Sequence, residues 1–212
     1  MPGLRICVPL GALHADAVAA LAEAGVDVAP LRDAGRRLVI DGPDGLRFIT
    51  TRPSDVPTYV EAGAADIGIV GKDVLLERGA DVYEVLDLGF GPCRMVYATP
   101  AGEDPTRDAI ERLGAVRVAT KYPKCAVAHF EATGRQAEVV KVNGSVELAP
   151  LVGLAHGIVD LTATGTTLRA NDLVEREEIF QSSARLIVNR ASYTLRAAQV
   201  DAVVRRLERT GA

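Results

Sequence analysis

The sequence predicts an α/β protein built as two lobes with a central cleft between them. Short apolar runs alternate with helical patterns of about ten residues, which is typical of βαβ units with parallel strands. This alternation breaks at 89–92 (Gly-Phe-Gly-Pro) and begins again at Cys93. A final strand and helix follow the second series, and we expect them to return to the first lobe. The predicted lobes are therefore 1–92 plus 178–212, and 93–177.

The first half of the chain contains five predicted strands and three predicted helices. Apolar runs bounded by turn residues predict strands at 4–9, 37–40, 46–50, 66–70 and 82–88. Apolar spacing and helix-start residues predict helices at 14–24, 54–63 and 72–78. Pro57 is compatible with the second helix because proline is tolerated in a first turn. The turn-rich linker 41–45 predicts a hairpin between the second and third strands.

The second half repeats the alternation. Strands are predicted at 94–98, 116–120, 137–142 and 158–161, and helices at 105–113, 123–133 and 146–155. After Asn171 we expect one more strand, at 185–189, and a C-terminal helix at 192–209.

The composition excludes several classes of protein. Hydrophobic residues make up 48% of the 212 residues and the net charge is −4, which favours a packed core over disorder. The acidic balance and the absence of tryptophan argue against a nucleic-acid-binding protein. No apolar run approaches the length of a membrane helix, and residues 1–9 lack a secretory signal, so we expect a cytoplasmic protein.

The cysteines and histidines form no recognisable metal or catalytic motif. The cysteines lie far apart, in apolar runs, and are predicted to be buried free thiols: Cys7, Cys93 and Cys125. The histidines stand in or beside helices, without a carboxylate or cysteine at ligand spacing, and are predicted to be surface or capping residues: His14, His129 and His156.

The segment 157–168 carries the strongest functional signal. A buried strand ends in a run of threonines around one glycine, just before a predicted helix start, and the residues concerned are Thr162, Ala163, Thr164, Gly165, Thr166, Thr167 and Leu168. Small residues let backbone N–H groups converge on an anion, and hydroxyls add donors, so this pattern suits a phosphate monoester. Asp160 is a candidate acceptor for sugar hydroxyls or a ligand of a metal-bound diphosphate. An ordinary threonine N-cap explains the same pattern without a ligand.

Several cations stand at strand ends. Arg36 and Arg52 flank the predicted hairpin, where both can reach one polyphosphate, although rim arginines are often only solvated. Lys72 and Lys121 follow strands, and ligands of open α/β sheets bind at the carboxyl ends of strands. Arg94 opens a strand and is a weaker candidate.

Five segments occur in the order and spacing of one known family. They are 52–61 (RPSDVPTYVE), 63–73 (GAADIGIVGKD), 119–122 (ATKY), 143–150 (NGSVELAP) and 160–168 (DLTATGTTL). Together they resemble the short form of ATP phosphoribosyltransferase over nearly the whole chain. Several motifs at matching spacing are far more specific than any one of them.

The resemblance implies an enzyme that joins ATP to 5-phosphoribosyl 1-diphosphate (PRPP), giving N1-(5-phosphoribosyl)-ATP and diphosphate in the first step of histidine biosynthesis. It implies a fold similar to the type II periplasmic binding proteins and Mg²⁺ bound with the diphosphate, with no metal site formed by the protein alone. We expect the short form because the chain stops directly after the last predicted helix. Short forms are homodimers that join a regulatory subunit resembling histidyl-tRNA synthetase in a hetero-oligomer.

The resemblance also implies roles for individual residues. The 162–168 loop would hold the 5-phosphate of PRPP, with Glu147 and Asp160 facing its ribose and diphosphate. Catalysis would rest on cations that stabilise the departing diphosphate: Arg36, Arg52 and Lys121. The nucleotide would lie beside Gly11, Ala12, Leu13, Arg36, Arg52 and Asp73. In this sequence Leu10 stands where relatives usually have a lysine, so the first turn lacks the family's cation.

Two other functions remain possible at this point. A cytoplasmic two-lobed binding protein for a small phosphorylated ligand would use the same threonine-rich loop without chemistry, although it would not need two carboxylates beside its anion. A subunit that only scaffolds a partner would explain the missing cation and would expose a large apolar patch.

Overall fold

The computed structural model describes residues 3–209 and divides them into two compact units. Unit 1 comprises 3–91 and 183–209, and unit 2 is Pro92–Ser182. The chain leaves unit 1 at the predicted break. It returns at Ser183 and not at the predicted residue 178, because the residues up to Ser182 pair as a strand within unit 2.

Within 3–91 the chain forms five strands and four α-helices. The strands are β1 (Arg5–Pro9), β2 (Val39–Asp41), β3 (Arg47–Thr51), β4 (Ile67–Gly71) and β5 (Tyr83–Asp87). The helices are α1 (His14–Glu23), α2 (Ala29–Arg32), α3 (Val56–Glu61) and α4 (Lys72–Arg78). The predicted helix 54–63 instead begins with a 3-10 turn at Pro53–Asp55. α2 is a single turn, too short to produce a detectable apolar period.

Unit 2 also contains five strands and four α-helices. The strands are β6 (Cys93–Pro100), β7 (Val116–Thr120), β8 (Ala137–Lys141), β9 (Gly157–Thr162) and β10 (Leu173–Ser182). The helices are α5 (Pro105–Leu113), α6 (Pro123–Ala132), α7 (Leu148–Leu151) and α8 (Thr166–Ala170). The predicted helix 146–155 is wrong in extent, because the chain turns at Gly153, whose φ is 73°.

β10 was not predicted from the sequence. Its residues, LVEREEIFQS, do not alternate between apolar and polar. The pairing of β10 with β6 shifts register twice, between Glu175 and Glu177 and again between Glu178 and Phe180. Each irregularity moves the following side chains to the opposite face, so the two-residue period by which a strand is recognised is lost.

Residues 183–209 return to unit 1 as β11 (Ala184–Val188), α9 (Arg190–Leu195) and α10 (Ala197–Arg209). The predicted single helix 192–209 is therefore two helices, separated at Arg196. The side chain of Asn189 caps α9 by accepting from the N–H of Ser192, and its Nδ2 donates to the Val60 carbonyl, 2.8 Å away.

Each unit is built around one mixed sheet. In unit 1 the strand order is β2-β3-β1-β4-β11-β5, and in unit 2 it is β10-β6-β9-β7-β8. The predicted parallel pairing is present in both sheets: β3, β1 and β4 are parallel in the centre of the first, and β9, β7 and β8 are parallel at one side of the second. The predicted hairpin is confirmed by antiparallel β2 and β3. The remaining neighbouring strands are antiparallel.

A buried ion-pair network joins three elements of unit 1. Asp66, directly before β4, is 0% exposed and accepts hydrogen bonds from the backbone N, Nε and Nη2 of Arg5. Ser192 on α9 donates to the same carboxylate over 2.7 Å. Burial raises the pKa of Asp66, but the hydrogen bonds from Arg5 and Ser192 lower it by more, so the net pKa is below the ordinary value.

No helix within 3–209 is long and apolar enough to cross a membrane. Within residues 3–209 no cysteine takes part in a disulfide; Cys7 and Cys125 are buried as predicted, whereas Cys93 is half-buried because it opens β6. Burial raises the pKa of Cys7 to about 12, so this thiol is unreactive at neutral pH.

Candidate active site

Three parallel strands of unit 2 end at one edge of its sheet. β7 pairs with β9 so that Thr120 lies opposite Val159, and extending this register by one residue places Lys121 beside Asp160. β8 lies on the other side of β7, and the segment after it leads to Glu147, the residue before α7. Ligands of open α/β sheets bind at such carboxyl ends, so the structure gathers the predicted residues of this unit where a ligand site is expected.

Asp160 is half-buried near the end of β9, where the N–H of Leu161 donates to its Oδ1 over 2.9 Å. Burial raises the pKa of Asp160 above its ordinary value. The neighbouring Glu147 carboxylate also raises it, whereas the Leu161 hydrogen bond and the Lys121 charge lower it by less. The ionised form of Asp160 is therefore unfavourable in the free protein. A bound cation or a hydroxyl donor would stabilise it.

The loop after β9 presents hydroxyls and backbone N–H groups. Gly165 precedes α8 with a φ of 71°, a left-handed conformation that glycine adopts without strain. Its N–H donates to Thr162 Oγ1 over 2.8 Å. The first N–H groups of a helix have no intrahelical acceptor, and no side chain caps those of α8. They are therefore available to an anion.

Most of the predicted loop residues are open to solvent. Ala163, Thr164, Thr166 and Thr167 are exposed, Thr162 is half-buried, and Gly165 and Leu168 are buried. Leu168 belongs to a hydrophobic cluster of unit 2, so its side chain serves packing and only its backbone remains for a ligand.

In unit 1 the carboxyl ends of β1 and β3 also lie together. Pro9 is opposite Thr51 in this parallel pair, and the N–H of Leu10 donates to the Thr51 carbonyl over 2.8 Å. The turn 10–13 therefore begins beside Arg52. At its centre Gly11 is exposed, has a φ of 81° and has open space around it, so its backbone and that of exposed Ala12 are accessible.

Two predicted nucleotide residues of unit 1 are engaged in packing. Asp73, on α4, is 7% exposed, and its Oδ1 would lie 2.3 Å from a Cβ placed on Gly71. Leu13 packs against the core of unit 1. Its Cδ2 also lies so close to Gly91 that a Cβ at that position would clash with it. The conformations of these side chains are therefore restricted by the fold.

Arg36 and Arg52 flank the open end of the β2–β3 hairpin. The last contact at this end is the hydrogen bond from the N–H of Thr50 to the Leu38 carbonyl, 2.8 Å long, and each arginine lies two residues beyond it. Both are exposed, and within 3–209 neither side chain forms a hydrogen bond or ion pair. Arg37, in contrast, donates to the carbonyls of Ala34 and Asp33.

Two other candidate cations are held by carboxylates. Lys72 Nζ lies 2.6 Å from Glu84 Oε2. Arg94 pairs with Glu175 and Glu178 on β10, and these hydrogen bonds raise its pKa further. Because their charges are already compensated, these two residues are poorer anion ligands than Arg36, Arg52 and Lys121.

The histidines have structural partners. His14 Nδ1 lies 2.9 Å from the Pro9 carbonyl, and His156 Nδ1 accepts from the Arg117 N–H over 2.9 Å. His129 Nε2 is 2.8 Å from Glu177, which also binds Arg135. Each histidine ring therefore has a partner within the fold.

Arg169 was not predicted from the sequence as part of the threonine-loop site. Its Nη1 donates to the Thr164 carbonyl over 3.0 Å and its Nη2 to Thr166 Oγ1 over 3.3 Å. The sequence did contain a signal for this contact: Arg169 follows Thr166 by three residues, and residues three apart on a helix share a face.

The sequence of this chain is similar to those of one known enzyme family. Residues 52–209 match the family model described as HisG: ATP phosphoribosyltransferase. An ATP phosphoribosyltransferase from Rubrobacter xylanophilus is 55% identical over 212 residues, covering 100% of this chain and 98% of that protein. A second, from Symbiobacterium thermophilum, is 51% identical and covers 98% of this chain and 94% of that protein.

Solved structures give the same result. The ATP phosphoribosyl transferase (HisG:HisZ) complex from Thermotoga maritima aligns with a TM-score of 0.83 and 33% identity over 97% of each chain. The periplasmic VFT2 domain of Bordetella pertussis BvgS aligns at a TM-score of 0.59 with 14% identity, over 99% of this chain and 88% of that one. The second likeness concerns the fold alone, and it confirms the predicted type II periplasmic-binding-protein fold.

Proposed function

Because this chain belongs to the ATP phosphoribosyltransferase family, we propose which of its residues perform each part of the reaction. The enzyme condenses ATP with PRPP to N1-(5-phosphoribosyl)-ATP and diphosphate, in histidine biosynthesis. The observation that carries the residue assignment is the gathering of Lys121, Asp160 and the threonine loop at one edge of the unit 2 sheet.

Unit 2 binds PRPP in this proposal. The N–H groups at the start of α8 and the hydroxyls of the 162–168 loop receive the 5-phosphate, because donors without protein acceptors favour an anion. Asp160 and Glu147 accept hydrogen bonds from the ribose hydroxyls and face the diphosphate. Lys121, whose charge already acts on Asp160, stabilises the diphosphate as it leaves.

Unit 1 binds ATP and contributes cations. The backbone of the 11–13 turn lies along the nucleotide in this proposal, and Asp73 on α4 belongs to the same binding site. Arg36 and Arg52 contact the ATP phosphates or the departing diphosphate, because their guanidinium groups are exposed and have no protein partner within the described residues. The fixed fork of an arginine matches phosphate oxygens bidentately, so both also orient their ligand.

The chemistry needs orientation and charge stabilisation more than proton transfer. N1 of adenine carries a free lone pair at neutral pH, so no general base has to generate the nucleophile. This fits the engagement of all three histidines elsewhere. Displacement at C1 of the ribose develops oxocarbenium character while charge accumulates on the diphosphate. Cations aimed at that charge lower the barrier, and holding N1 about 3 Å from C1 contributes several kcal/mol more.

The family uses a metal ion in catalysis, and we propose Mg²⁺. Residues 3–209 contain no group of three or more side chains able to hold a metal. Asp160 and Glu147 are close enough for one to raise the pKa of the other. This donor set fits Mg²⁺, which is usually held by one or two carboxylates together with substrate phosphates. When bound, the ion neutralises charge on the diphosphate.

We further propose that the chain forms a homodimer and binds a regulatory subunit resembling histidyl-tRNA synthetase. The second partner is supported by the similar Thermotoga maritima structure, which is a HisG:HisZ complex, whereas the homodimer rests on the family resemblance. A cytoplasmic location follows from its substrates, since ATP and PRPP are intracellular metabolites.

An absorbance assay tests the function directly. The protein is mixed with ATP, PRPP and Mg²⁺, and the near-ultraviolet spectrum is followed, because substitution at N1 changes the adenine chromophore. We expect an absorbance increase that requires both substrates. Binding of PRPP without any spectral change, at high protein concentration, would instead support a receptor.

Replacing Arg36 with alanine is expected to lower kcat about tenfold or more while changing PRPP affinity less. The reason is that the guanidinium acts on charge that develops only as diphosphate leaves. Steady-state and single-turnover kinetics measure the effect, with Arg37→Ala as the matched control, since Arg37 is bound to backbone carbonyls. An unchanged single-turnover rate would contradict the role given to Arg36.

A further inference from the structure

Arg169 holds the middle of the threonine loop through two contacts. Nη1 donates to the Thr164 carbonyl and Nη2 to Thr166 Oγ1, at 3.0 and 3.3 Å. The guanidinium also lies over Gly165, where a Cβ would be 2.9 Å from Nη1. The side chain therefore spans the three residues at which the chain turns into α8.

The first contact neutralises a group that would oppose an anion. A carbonyl oxygen carries partial negative charge, and the Thr164 carbonyl belongs to the loop that is proposed to receive a phosphate. Because the guanidinium is a permanent cation with donors and no acceptor, its bond to this oxygen offsets the unfavourable charge. It also holds the peptide in one orientation.

The second contact places the guanidinium against a pair of hydrogen-bonded threonine hydroxyl groups. The Thr164 and Thr166 hydroxyl oxygens are 2.8 Å apart, so one donates to the other. A threonine hydroxyl has one donor and two acceptor positions, and Arg169 fills an acceptor position on Thr166. Whichever threonine donates within the pair, one O–H remains free, and the adjacent cation strengthens it as a donor.

We propose that Arg169 is a positioning residue for the 5-phosphate of PRPP, acting through Thr164 and Thr166. This inference rests on the proposed function of the loop. Arg169 offsets the partial negative charge of the Thr164 carbonyl and strengthens the free hydroxyl group of the threonine pair as a donor to the phosphate. It acts through the loop and does not contact the phosphate itself.

A double-mutant cycle tests this mechanism on the full chain. PRPP binding is measured by isothermal titration calorimetry for wild type, Arg169→Ala, Thr166→Val and the double variant. We expect each single change to raise Kd about tenfold, as for a lost hydrogen bond to a charged group. The double variant should lose clearly less than the hundredfold that two independent effects would give, because Arg169 acts in part through Thr166 and residues that share a contact are not additive.

Three further measurements separate positioning from a general structural effect. The KM for ATP should stay unchanged in Arg169→Ala, while the KM for PRPP rises. Arg169→Lys should recover only part of the affinity, because one ammonium does not reproduce the fork that spans both acceptors. Arg107→Ala removes a guanidinium of the same unit that is 89% exposed in a surface ion pair, and it should change none of these values.

The possible failures can be told apart. If the double variant loses about a hundredfold, Arg169 and Thr166 act independently, as they would if Arg169 bound the phosphate directly, and the positioning role is wrong. The same conclusion follows if Thr166→Val weakens binding and Arg169→Ala does not. If Thr166→Val leaves Kd unchanged, the proposed phosphate loop itself is wrong, and the inference fails with it.

Discussion

Asp160→Asn is expected to lower kcat/KM for PRPP by about 100-fold without unfolding the protein. The change removes the negative charge proposed to bind the Mg²⁺ ion of the diphosphate and weakens the acceptor for the ribose hydroxyls. A 100-fold loss corresponds to about 2.7 kcal/mol. Asparagine keeps the shape of the side chain and an oxygen for the Leu161 N–H, which donates to Asp160 over 2.9 Å. Steady-state kinetics at saturating ATP measure the loss.

The stability of this variant should change in the opposite direction. Burial raises the pKa of Asp160 in the folded state. A carboxyl of this kind stabilises the fold at pH values below its unfolded pKa, and the contribution is lost as the pH rises through the folded pKa. At neutral pH the buried charge is therefore unfavourable. We expect Asp160→Asn to have a free energy of unfolding equal to or above that of wild type in urea titrations.

Asp108→Asn is a matched control for the Asp160 variant. Asp108 lies in the same unit, and its side chain is 61% exposed in a surface pair with Arg112. Its replacement should leave kcat/KM within about twofold and stability within about 0.5 kcal/mol. If Asp160→Asn is as active as Asp108→Asn, the role proposed for Asp160 is wrong.

Asp66→Ala is expected to reduce the free energy of unfolding by about 3 kcal/mol. Removing one partner of a buried ion pair leaves the other charge and its donors unsatisfied, which typically costs about 3–5 kcal/mol. We expect the lower end because the Arg5 side chain is 34% exposed and retains access to water. Ser192 also loses its acceptor. Urea unfolding followed by circular dichroism measures the change.

The pH dependence gives a second test of Asp66. Its net pKa is lowered in the folded state, so its contribution is complete above the unfolded pKa and is lost as the pH falls through the folded pKa. The stability difference between wild type and Asp66→Ala should therefore be largest at neutral pH and shrink on acidification. Asp81→Ala breaks an exposed pair with Arg190 and should cost no more than about 1 kcal/mol. An equal loss in both variants would contradict the buried network.

Local patterns predicted the secondary structure best where the period was regular. α4, α5 and β7 match their predicted bounds residue for residue, because their apolar spacing and terminal residues agree. β10 was missed because its two register shifts remove the alternation. The antiparallel neighbours in each sheet were also not predicted, since strand direction depends on how distant segments meet.

For the candidate site, the sequence was sufficient to propose the threonine loop, Asp160 and the two arginines Arg36 and Arg52. Backbone donors, hydroxyls and a strand end are encoded within about ten neighbouring residues, whereas the family is encoded in five separate segments between residues 52 and 168.

Which charges remain available to a ligand could be read only from the folded chain. Arg94 and Lys72 are compensated by Glu175, Glu178 and Glu84, and Arg94 is 81 residues from Glu175 in the sequence. Parallel pairing likewise puts Lys121 next to Asp160. The physical reason for this difference is the sequence distance over which each property is determined. A backbone conformation depends mainly on nearby residues, whereas burial and charge pairing depend on segments that meet only after folding.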